Sequence, residues 1–352
     1  MVKLMNRINL IKPTDKYYYE LSEKHWNSIA KPLGSFGLLE DYIKKISAVQ
    51  CTEYPDISKR TVVVMCADNG VVCEGVTQVS SDVTAKSACA IANGTSNINA
   101  LARTFNADVL AVDIGIKSVI CNDNLINKKI KYGTENIAKR SAMTLNETEK
   151  AIQTGMDIVK ELKDKNTKII VTGEMGIGNT TTSSALSAVL LDCKAEDVTG
   201  KGAGLSDSGL NKKIEVIKKA ISVNKPDSEK PLELLSKLGG LDIAGMTGIF
   251  LGGGYYGVAI VADGLISAVS AVIACKLNSS VKDYILASHV SKEPAGRKLL
   301  DLIGLKPIID GELRLGEGTG GILLLPLLDG ALSLYRNSHS FENLGIERYK
   351  KL

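Results

Sequence analysis

The 352-residue sequence has few of the residues that several common functions require. Aromatic side chains make up 5%, with a single tryptophan, so we expect no base-stacking platform for nucleic acid. The net charge is only +4, with lysine and glutamate interspersed, which also argues against a nucleic-acid partner. No HExxH motif or dense His/Cys/Asp cluster is present, so we predict no bound metal. The longest apolar stretches are interrupted by Gly, Asp or Pro, so we predict no membrane span.

Cysteine usage bears on the cellular compartment. The seven cysteines are odd in number and form no CxxC pair, a pattern typical of a reduced protein without disulfides or a zinc site. Residues 1–16 are amphipathic but contain no long apolar segment, so we expect no signal peptide. The sequence therefore predicts a cytoplasmic location.

Short β-branched runs alternate along the chain with stretches of helical periodicity. The runs with the length and composition of buried strands lie at residues 61–67, 108–114, 167–173, 257–263 and 283–289. Among the helical stretches is 145–165, for which Asn146 or Thr148 is a candidate N-cap. Apolar strands linked by helices predict an α/β fold whose mostly parallel sheet is flanked by helices on both faces.

The two ends of the chain differ from its middle. Residues 1–45 and 300–352 are rich in lysine and helical periodicity and lack clear strands. We predict that they form one small helical domain together, beside a large α/β nucleotide-binding domain at residues 46–299.

Polar residues collect where the predicted strands end, in ADNG, DIGI, TGEMGIGN, ADG and SHVS. In open α/β sheets, ligands bind outside the carboxyl ends of the strands. Glycine and aspartate also end strands in ordinary turns, but their recurrence along the chain indicates a site. His289 follows one such strand between Ser288 and Ser291, yet no GxSxG elbow accompanies it, so a serine hydrolase is not favoured.

The stretch 172–186 reads as a strand, a glycine loop and a helix rich in small residues. The backbone N–H groups of Gly176, Ile177 and Gly178 can point at an anion beside the helix N-terminus, although an ordinary helix-start turn would look the same. No GK[ST] follows, so no nucleoside triphosphate is implied. Glu174 would repel a phosphate, which makes it a candidate acceptor for sugar hydroxyls.

Three further motifs have candidate residues. In 198–217, Lys201 and Lys213 follow glycines and could meet a phosphate, or could be ordinary surface charges. In 239–257, small residues surround Asp242 and favour close helix packing over close approach of a ligand. In 313–321, LRLGEGTGG places Glu317 between glycines, where we expect an exposed carboxylate able to act as a base. The residues alone therefore indicate an α/β enzyme for a phosphorylated, ribose-bearing substrate.

Several motifs, in order, carry a family resemblance: KPLGSFGLLE (31–40), ADNGVVCEGVT (67–77), TGEMGIGNTTTSSA (172–185), TGKGAGLSDSGL (199–210), GGLDIAGMTG (239–248) and LRLGEGTGG. From about residue 20 to about residue 335, the chain resembles the nicotinate-nucleotide:dimethylbenzimidazole phosphoribosyltransferases, which make the lower nucleotide of cobamides. The resemblance implies a six-stranded Rossmann-like sheet, a small helical domain, a homodimer and no cofactor. It also implies that an aromatic base displaces nicotinate from nicotinate mononucleotide with inversion, giving an α-ribotide.

The resemblance also implies roles for individual residues. Glu317 would be the general base, and Glu174 the sugar-side or second acid. The residues expected around the phosphate and ribose are Gly176, Ile177, Gly202, Ala203, Gly204, Lys213 and Ser291. Asp242 and Leu315 are further candidate substrate-binding residues.

The chain departs from the family pattern in the region expected to hold the incoming base. Val79 and Ser87 occupy places where the family has a serine and a glutamine, and Ser80 lies one position off. The accepted base could therefore be a benzimidazole, a purine, or a phenolic such as phenol or p-cresol, which some relatives attach as heterodimers of two paralogues. A hydrolase that releases nicotinate to water and a non-catalytic, nucleotide-binding paralogue are the remaining alternatives.

Overall fold

The computed structural model describes residues 2–202 and 204–349. Its centre is a six-stranded sheet in the order β3-β2-β1-β4-β5-β6, and all neighbouring strands are parallel. The strands are β1 (Arg60–Ala67), β2 (Asp108–Gly115), β3 (Ile126–Asn127), β4 (Ile169–Met175), β5 (Ala259–Ala262) and β6 (Ile285–Ala287).

Helices cover the sheet and account for about half of the described chain. The α-helices are α1 (Val2–Asn9), α2 (Lys16–Ser28), α3 (Leu38–Gln50), α4 (Asp82–Ala92), α5 (Asn97–Thr104), α6 (Leu145–Asp164), α7 (Asn179–Leu190), α8 (Asp207–Asn224), α9 (Pro231–Leu238), α10 (Leu241–Tyr256), α11 (Leu265–Leu277), α12 (Gly296–Leu302), α13 (Thr319–Ile322), α14 (Leu324–Asn337) and α15 (Phe341–Leu344). Within the described residues, no helix is both long and apolar enough to cross a membrane.

The predicted α/β class and parallel sheet are confirmed, and every predicted strand is present with slightly shifted ends. Strand β3 was missed because its two residues are too short to show a pattern. The predicted N-caps of α6 were wrong. The cap is Thr144, whose Oγ1 accepts from the Glu147 N–H at 3.2 Å while Glu147 Oε2 accepts from the Thr144 N–H at 2.8 Å.

The small residues of 239–257 serve packing, as the sequence favoured. Helix α10 is buried along nearly its whole length and lies against α6. A Cβ added at Gly248 would collide with the Ile152 carbonyl, and one at Gly155 with the Gly245 carbonyl. The two backbones therefore approach more closely than side chains at these positions would allow.

Helices from both ends of the chain pack together. Trp26 of α2 is fully buried, with its ring centroid 4.9 Å from that of Tyr335 in α14. Ile29 and Ser340 form an isolated antiparallel bridge. These contacts suit the predicted helical unit of both termini, while its division from the rest as a separate domain stays a prediction.

Candidate active site

A cavity of about 190 Å³ opens at the carboxyl ends of β4, β5 and β6. Each of these strands contributes a functional side chain to its wall: Glu174 lies near the end of β4, Asp263 follows β5, and His289 follows β6. The glycine loop before α7 and the loop before α13 close two further sides. The cavity lies beside the point where the strand order reverses, between β1 and β4, as expected for open α/β sheets.

The ends of β1 and β2 do not join this cavity. Asp68 Oδ2 accepts a hydrogen bond from the Lys117 N–H at 2.8 Å, and Asp113 Oδ1 accepts one from the Ile116 N–H at 2.9 Å. Both carboxylates therefore hold loops in place. The prediction of a site at the strand ends applies to β4, β5 and β6 only.

The loop that carries Glu317 lies directly on β4. Glu317 has φ 61°, a left-handed conformation that is uncommon outside glycine, and Gly316 and Gly318 on either side have φ 86°. A Cβ at Gly173 would lie 2.6 Å from the Glu317 carbonyl oxygen, so β4 needs a glycine there. Strained backbone that persists at a non-glycine residue is a common sign of a functional position.

The side chain of Glu317 is not exposed, so that expectation was wrong. The residue is 7% exposed, and its carboxylate accepts from the Ile98 N–H at 3.1 Å and from Asn97 Nδ2 at 3.4 Å. These donors belong to the first turn of α5, whose N-terminus favours an anion. The carboxylate thus lies beside α5, while its neighbours Gly316 and Thr319 line the cavity.

Glu174 lies in the cavity wall and is protonated in large part at neutral pH. Burial raises its pKa to about 8, and the carboxylates of Asp242, Asp263 and Glu317 add to the effect. A hydrogen bond from Asn179 Nδ2 to Glu174 Oε2 opposes that rise. The group can therefore offer a proton to an oxygen of a bound substrate.

Asp242 does not line the cavity. It is fully buried, and its Oδ2 accepts from Asn179 Nδ2 at 3.0 Å. Burial raises its pKa to about 6. Asn179 therefore joins two acidic side chains, and Asp242 lies behind the cavity wall, where it holds Asn179. Its predicted role in binding substrate stays a prediction.

Another part of the cavity wall is suited to an anion. Lys213 lines it although the residue is fully buried, and its ammonium donates to Thr180 Oγ1 at 3.0 Å and to the Gly200 carbonyl at 3.1 Å. Burial lowers the pKa of Lys213 to about 8, and Glu293 acts in the opposite direction. Ser291 lines the same region. Lys213 is therefore not the ordinary surface charge that was the alternative.

Some of the predicted backbone donors are committed to other partners. Gly176 and Ile177 line the cavity, but the Ile177 N–H donates to Thr84 Oγ1 at 3.1 Å. The Gly204 N–H donates to the Lys201 carbonyl at 3.1 Å, and Gly204 does not line the cavity. Gly202 does line it. Ala203 lies outside the described residues.

Leu315, predicted to bind substrate, and the residues assigned to the base pocket fall at or beyond the cavity mouth. Leu315 lines the mouth and is 58% exposed. Val79 and Ser80 are exposed on the loop before α4, and Ser87 is half-buried on α4. None of these last three lines the cavity.

The site contains residues that motif reasoning did not assign to substrate. Asp263 Oδ1 accepts from the Gly321 N–H at 2.7 Å, and Arg314, Asn179 and Glu293 line the cavity. The position of Asp263 at a strand end could have indicated its place in the site. No sequence pattern indicated the other three residues. In the described part of the chain, no group of three or more His, Cys, Asp or Glu side chains is placed to hold a metal ion.

Ser288 and His289 do not form a nucleophile and its base. The Ser288 hydroxyl donates to the Ala262 carbonyl at 2.7 Å, so its oxygen accepts from His289 Nδ1–H at 2.9 Å. In this pairing Nδ1 carries a proton, and a neutral His289 ring presents Nε2 as an acceptor. Nε2 lies beside Gly264 and Ser291, which line the cavity.

The fold and the cavity define an α/β protein with a site at the carboxyl ends of its strands, and comparison with known proteins gives the class of enzyme. The phosphoribosyltransferase family model DBI_PRT matches residues 11–346. The chain belongs to this family.

Its relatives share both length and sequence. Nicotinate-nucleotide–dimethylbenzimidazole phosphoribosyltransferase of Acetivibrio thermocellus is 45% identical over 331 residues, covering 94% of each chain. The protein of the same name from Clostridium acetobutylicum is 43% identical, covering 99% of this chain and 100% of the relative. The crystal structure of CobT from Thermus thermophilus superposes with a TM-score of 0.89 at 32% identity, covering 95% of this chain and 100% of that one.

Proposed function

We propose that this protein transfers the phosphoribosyl group of nicotinate mononucleotide to a lower-ligand base, 5,6-dimethylbenzimidazole or a relative of it. The products would be an α-ribotide such as α-ribazole 5'-phosphate, for cobamide assembly, and nicotinate. The observation that supports this most directly is one cavity whose wall contains both the buried Lys213 and the acidic pair Glu174 and Asp263. Its close relatives carry the name of this activity.

The cavity suits the two ends of a nucleotide monophosphate. Lys213 supplies the compact positive charge that a phosphate needs, and the Thr180 hydroxyl lies 3.0 Å from that ammonium. Glu174, Asp263 and His289 line the wall and offer hydrogen-bonding groups to ribose hydroxyls. Arg314 at the mouth carries a charge that attracts the nicotinate carboxylate.

The reaction breaks the bond from ribose C1' to the nicotinate ring nitrogen and forms one from C1' to a nitrogen of the incoming base. The bonding electrons return to the pyridinium ring, so nicotinate leaves without needing a proton on that nitrogen. The incoming base loses its N–H proton, and Glu317 is the residue proposed to take it. Nearby carboxylates also stabilise positive charge that develops on the ribose.

The position of Glu317 indicates where the base binds. Its carboxylate lies on the first turn of α5, which packs against α4. Helix α4 carries Ser87, and the loop before it carries Val79 and Ser80. We therefore place the base between this surface and Glu317.

A phenolic base is the second candidate. Val79 is 38% exposed and presents an apolar side chain where the family pattern has a polar one. Glu317 would then deprotonate a hydroxyl instead of an N–H, and the active form would include a paralogous subunit. The non-catalytic alternative has less support, since both Glu317 and Glu174 are retained.

We also propose a cytoplasmic dimer. All seven cysteines are free, as in a reducing compartment. Leu344, Ile346 and Tyr349 near the C-terminus are each at least half exposed, which would suit a subunit contact. Light scattering on the purified chain distinguishes a homodimer from a monomer that needs a paralogue.

The test of the proposed function is nicotinate release from nicotinate mononucleotide by the single purified chain. Dimethylbenzimidazole, adenine, phenol and p-cresol are supplied in parallel, and products are identified by mass. An α-ribotide from dimethylbenzimidazole supports the main proposal, and product from phenolics alone supports the second. Ribose phosphate formed without any base would indicate a hydrolase, and nucleotide binding without product a non-catalytic paralogue.

A further inference from the structure

Glu293 is a carboxylate in the part of the cavity proposed to receive the phosphate. Its Oε1 accepts from the Gly202 N–H at 3.1 Å. Its Oε2 is buried and has no hydrogen-bond partner among the described residues. The side chain lines the same cavity as Lys213 and Ser291. A substrate dianion and this carboxylate could not share the region without strong repulsion.

The surroundings explain why a carboxylate is stable there. The Lys213 ammonium is fully buried, and within residues 2–202 and 204–349 no carboxylate oxygen lies within ion-pair distance of it. Glu293 nevertheless acts on it electrostatically, raising the pKa of Lys213 against the effect of burial. A buried cation without a nearby anion is unfavourable, so Glu293 supplies part of the missing negative charge.

Glu293 also accepts a hydrogen bond from the Gly202 N–H, a donor that was expected to bind the substrate. Of the glycines in 200–204, the Gly202 N–H is the one bonded to an anion, whereas the Gly204 N–H is bonded to the Lys201 carbonyl. An anion bound by Lys213 and this loop therefore competes with Glu293 for the Gly202 N–H.

We propose that Glu293 is a resident anion of the phosphate end of the cavity, which the substrate phosphate displaces from the Gly202 N–H. This inference rests on the proposed function for the identity of the substrate. A resident carboxylate holds the Gly202 backbone by its N–H and lowers the affinity for small anions. Inorganic phosphate, which lacks the contacts of ribose and nicotinate, is then a poor competitor of the nucleotide.

The test is the affinity for inorganic phosphate, measured by titration calorimetry, which requires no turnover and no base. Glu293→Gln removes the charge with little change of shape, so we expect phosphate to bind roughly tenfold more tightly. Glu312→Gln is the matched control. Glu312 is exposed and pairs with Lys292 at 2.8 Å, outside the cavity, so its loss should leave phosphate affinity unchanged.

Gly200→Ala tests the same idea without removing charge. A Cβ at Gly200 would collide with Glu293 Oε2 and would lie 2.9 Å from Pro294 Cδ, so the carboxylate must move away from the Gly202 N–H and the Pro294 ring must shift. Phosphate should again bind more tightly. If Glu293→Gln fails to fold, the phosphate affinity of Gly200→Ala tests the inference in its place.

Tighter phosphate binding in Glu293→Gln, with no change in Glu312→Gln, supports the inference. Unchanged or weaker binding overturns it and would assign Glu293 a direct role in holding the loop or the substrate. Phosphate binding does not depend on transfer. If the proposed reaction were absent, the phosphate affinities of the variants would therefore still test the role of Glu293. If instead the inference about Glu293 fails, nicotinate release by the wild-type protein still tests the proposed function.

Discussion

The carboxylate of Glu317 accepts a hydrogen bond from the Ile98 N–H at 3.1 Å, although 219 residues separate the two. This contact joins the glycine loop of 313–321 to the first turn of α5 and, through the left-handed backbone of Glu317, holds that loop against β4. The first turn of α5 offers this carboxylate two hydrogen-bond donors, the Ile98 N–H and Asn97 Nδ2. The proposed proton acceptor is therefore fixed in position before a base arrives.

Glu317→Gln should lower the transfer rate about a hundredfold or more while nicotinate mononucleotide still binds. The amide oxygen can still accept from the Ile98 N–H, so folding is preserved, but the amide cannot take up a proton. The measurement is kcat with the best base from the panel, beside nucleotide affinity by calorimetry. Glu312→Gln, just before the same loop, should keep full activity. Near-normal kcat in Glu317→Gln would leave Glu317 with an anchoring role only.

The raised pKa of Glu174 predicts a pH-dependent loss of stability. The pKa is about 8 in the folded protein against 4.5 for an ordinary glutamate, so folding binds a proton between these values. The stability that this group contributes is fully present below about pH 4.5 and is lost as pH rises through about 8. Glu174→Gln removes that loss and should gain roughly 2–4 kcal/mol relative to wild type between pH 5 and pH 8.5.

Urea unfolding at pH 5 and at pH 8.5 measures this difference. Glu312 supplies the control, because its hydrogen bond to Lys292 lowers its pKa and its titration falls below the tested range. Glu312→Gln should therefore show the same offset from wild type at both pH values. If Glu174→Gln also differed from wild type by the same free energy of unfolding at both pH values, Glu174 would be ionised in the folded protein at pH 5.

The strands and the glycine loops could be predicted from sequence because their signals are local. Buried strands have continuous apolar runs, and Glu174 and Asp263 lie where such runs end. The burial of Glu317 could not be predicted, because its partners Asn97 and Ile98 are distant in sequence. A flexible loop looks exposed until the helix that covers it is known.

The hydrogen-bond partners of the glycine-loop N–H groups could not be predicted either, because they come from distant parts of the chain. The motif around 176–178 predicted free backbone N–H groups, but the Thr84 hydroxyl of α4 takes the one at Ile177. The same holds for Gly202, whose partner Glu293 is 91 residues away. The capping box of Thr144 and Glu147 is a different case, since its S/T-x-x-E pattern was local and readable.

Gly320→Ala should impair the site by displacing His289. A Cβ at Gly320 would collide with the His289 ring, which is buried and bonded to Ser288, so the ring must move. We expect at least a tenfold loss of transfer and a destabilisation of about 1–3 kcal/mol from overpacking. Steady-state kinetics and thermal unfolding measure the two effects.

Gly330→Ala is the control for that substitution. Gly330 lies in the exposed face of α14, and nothing lies within 4 Å of its added Cβ. The change should stabilise the protein by about 0.5–1 kcal/mol and leave transfer unaffected. If Gly320→Ala behaved like Gly330→Ala, the packing of His289 against the glycine loop would have no part in the site.

The link between β1 and α14 should contribute measurably to stability. Arg60, at the start of β1, is 8% exposed, and its two terminal nitrogens donate to the two carboxylate oxygens of Asp329 at 2.9 and 2.8 Å. Asp329→Ala leaves this buried guanidinium, among the residues that the structure describes, with only the Ile57 carbonyl, to which Nε donates at 3.0 Å. We expect a loss of about 1–2 kcal/mol in the free energy of unfolding, because a bidentate, charge-assisted pair is stronger than a neutral hydrogen bond.

Asp164→Ala removes an exposed ion pair for comparison. Asp164 lies 2.7 Å from the Lys160 ammonium, and both side chains are more than half exposed. Water and salt screen such a pair, so the change should stay within about 0.5 kcal/mol. In about 1 M salt, where screening is strong, the effect of Asp329→Ala should persist, because Arg60 is shielded from solvent. An Asp329→Ala effect that disappeared in salt would show that the pair is a surface interaction, and that other packing holds α14 against the sheet.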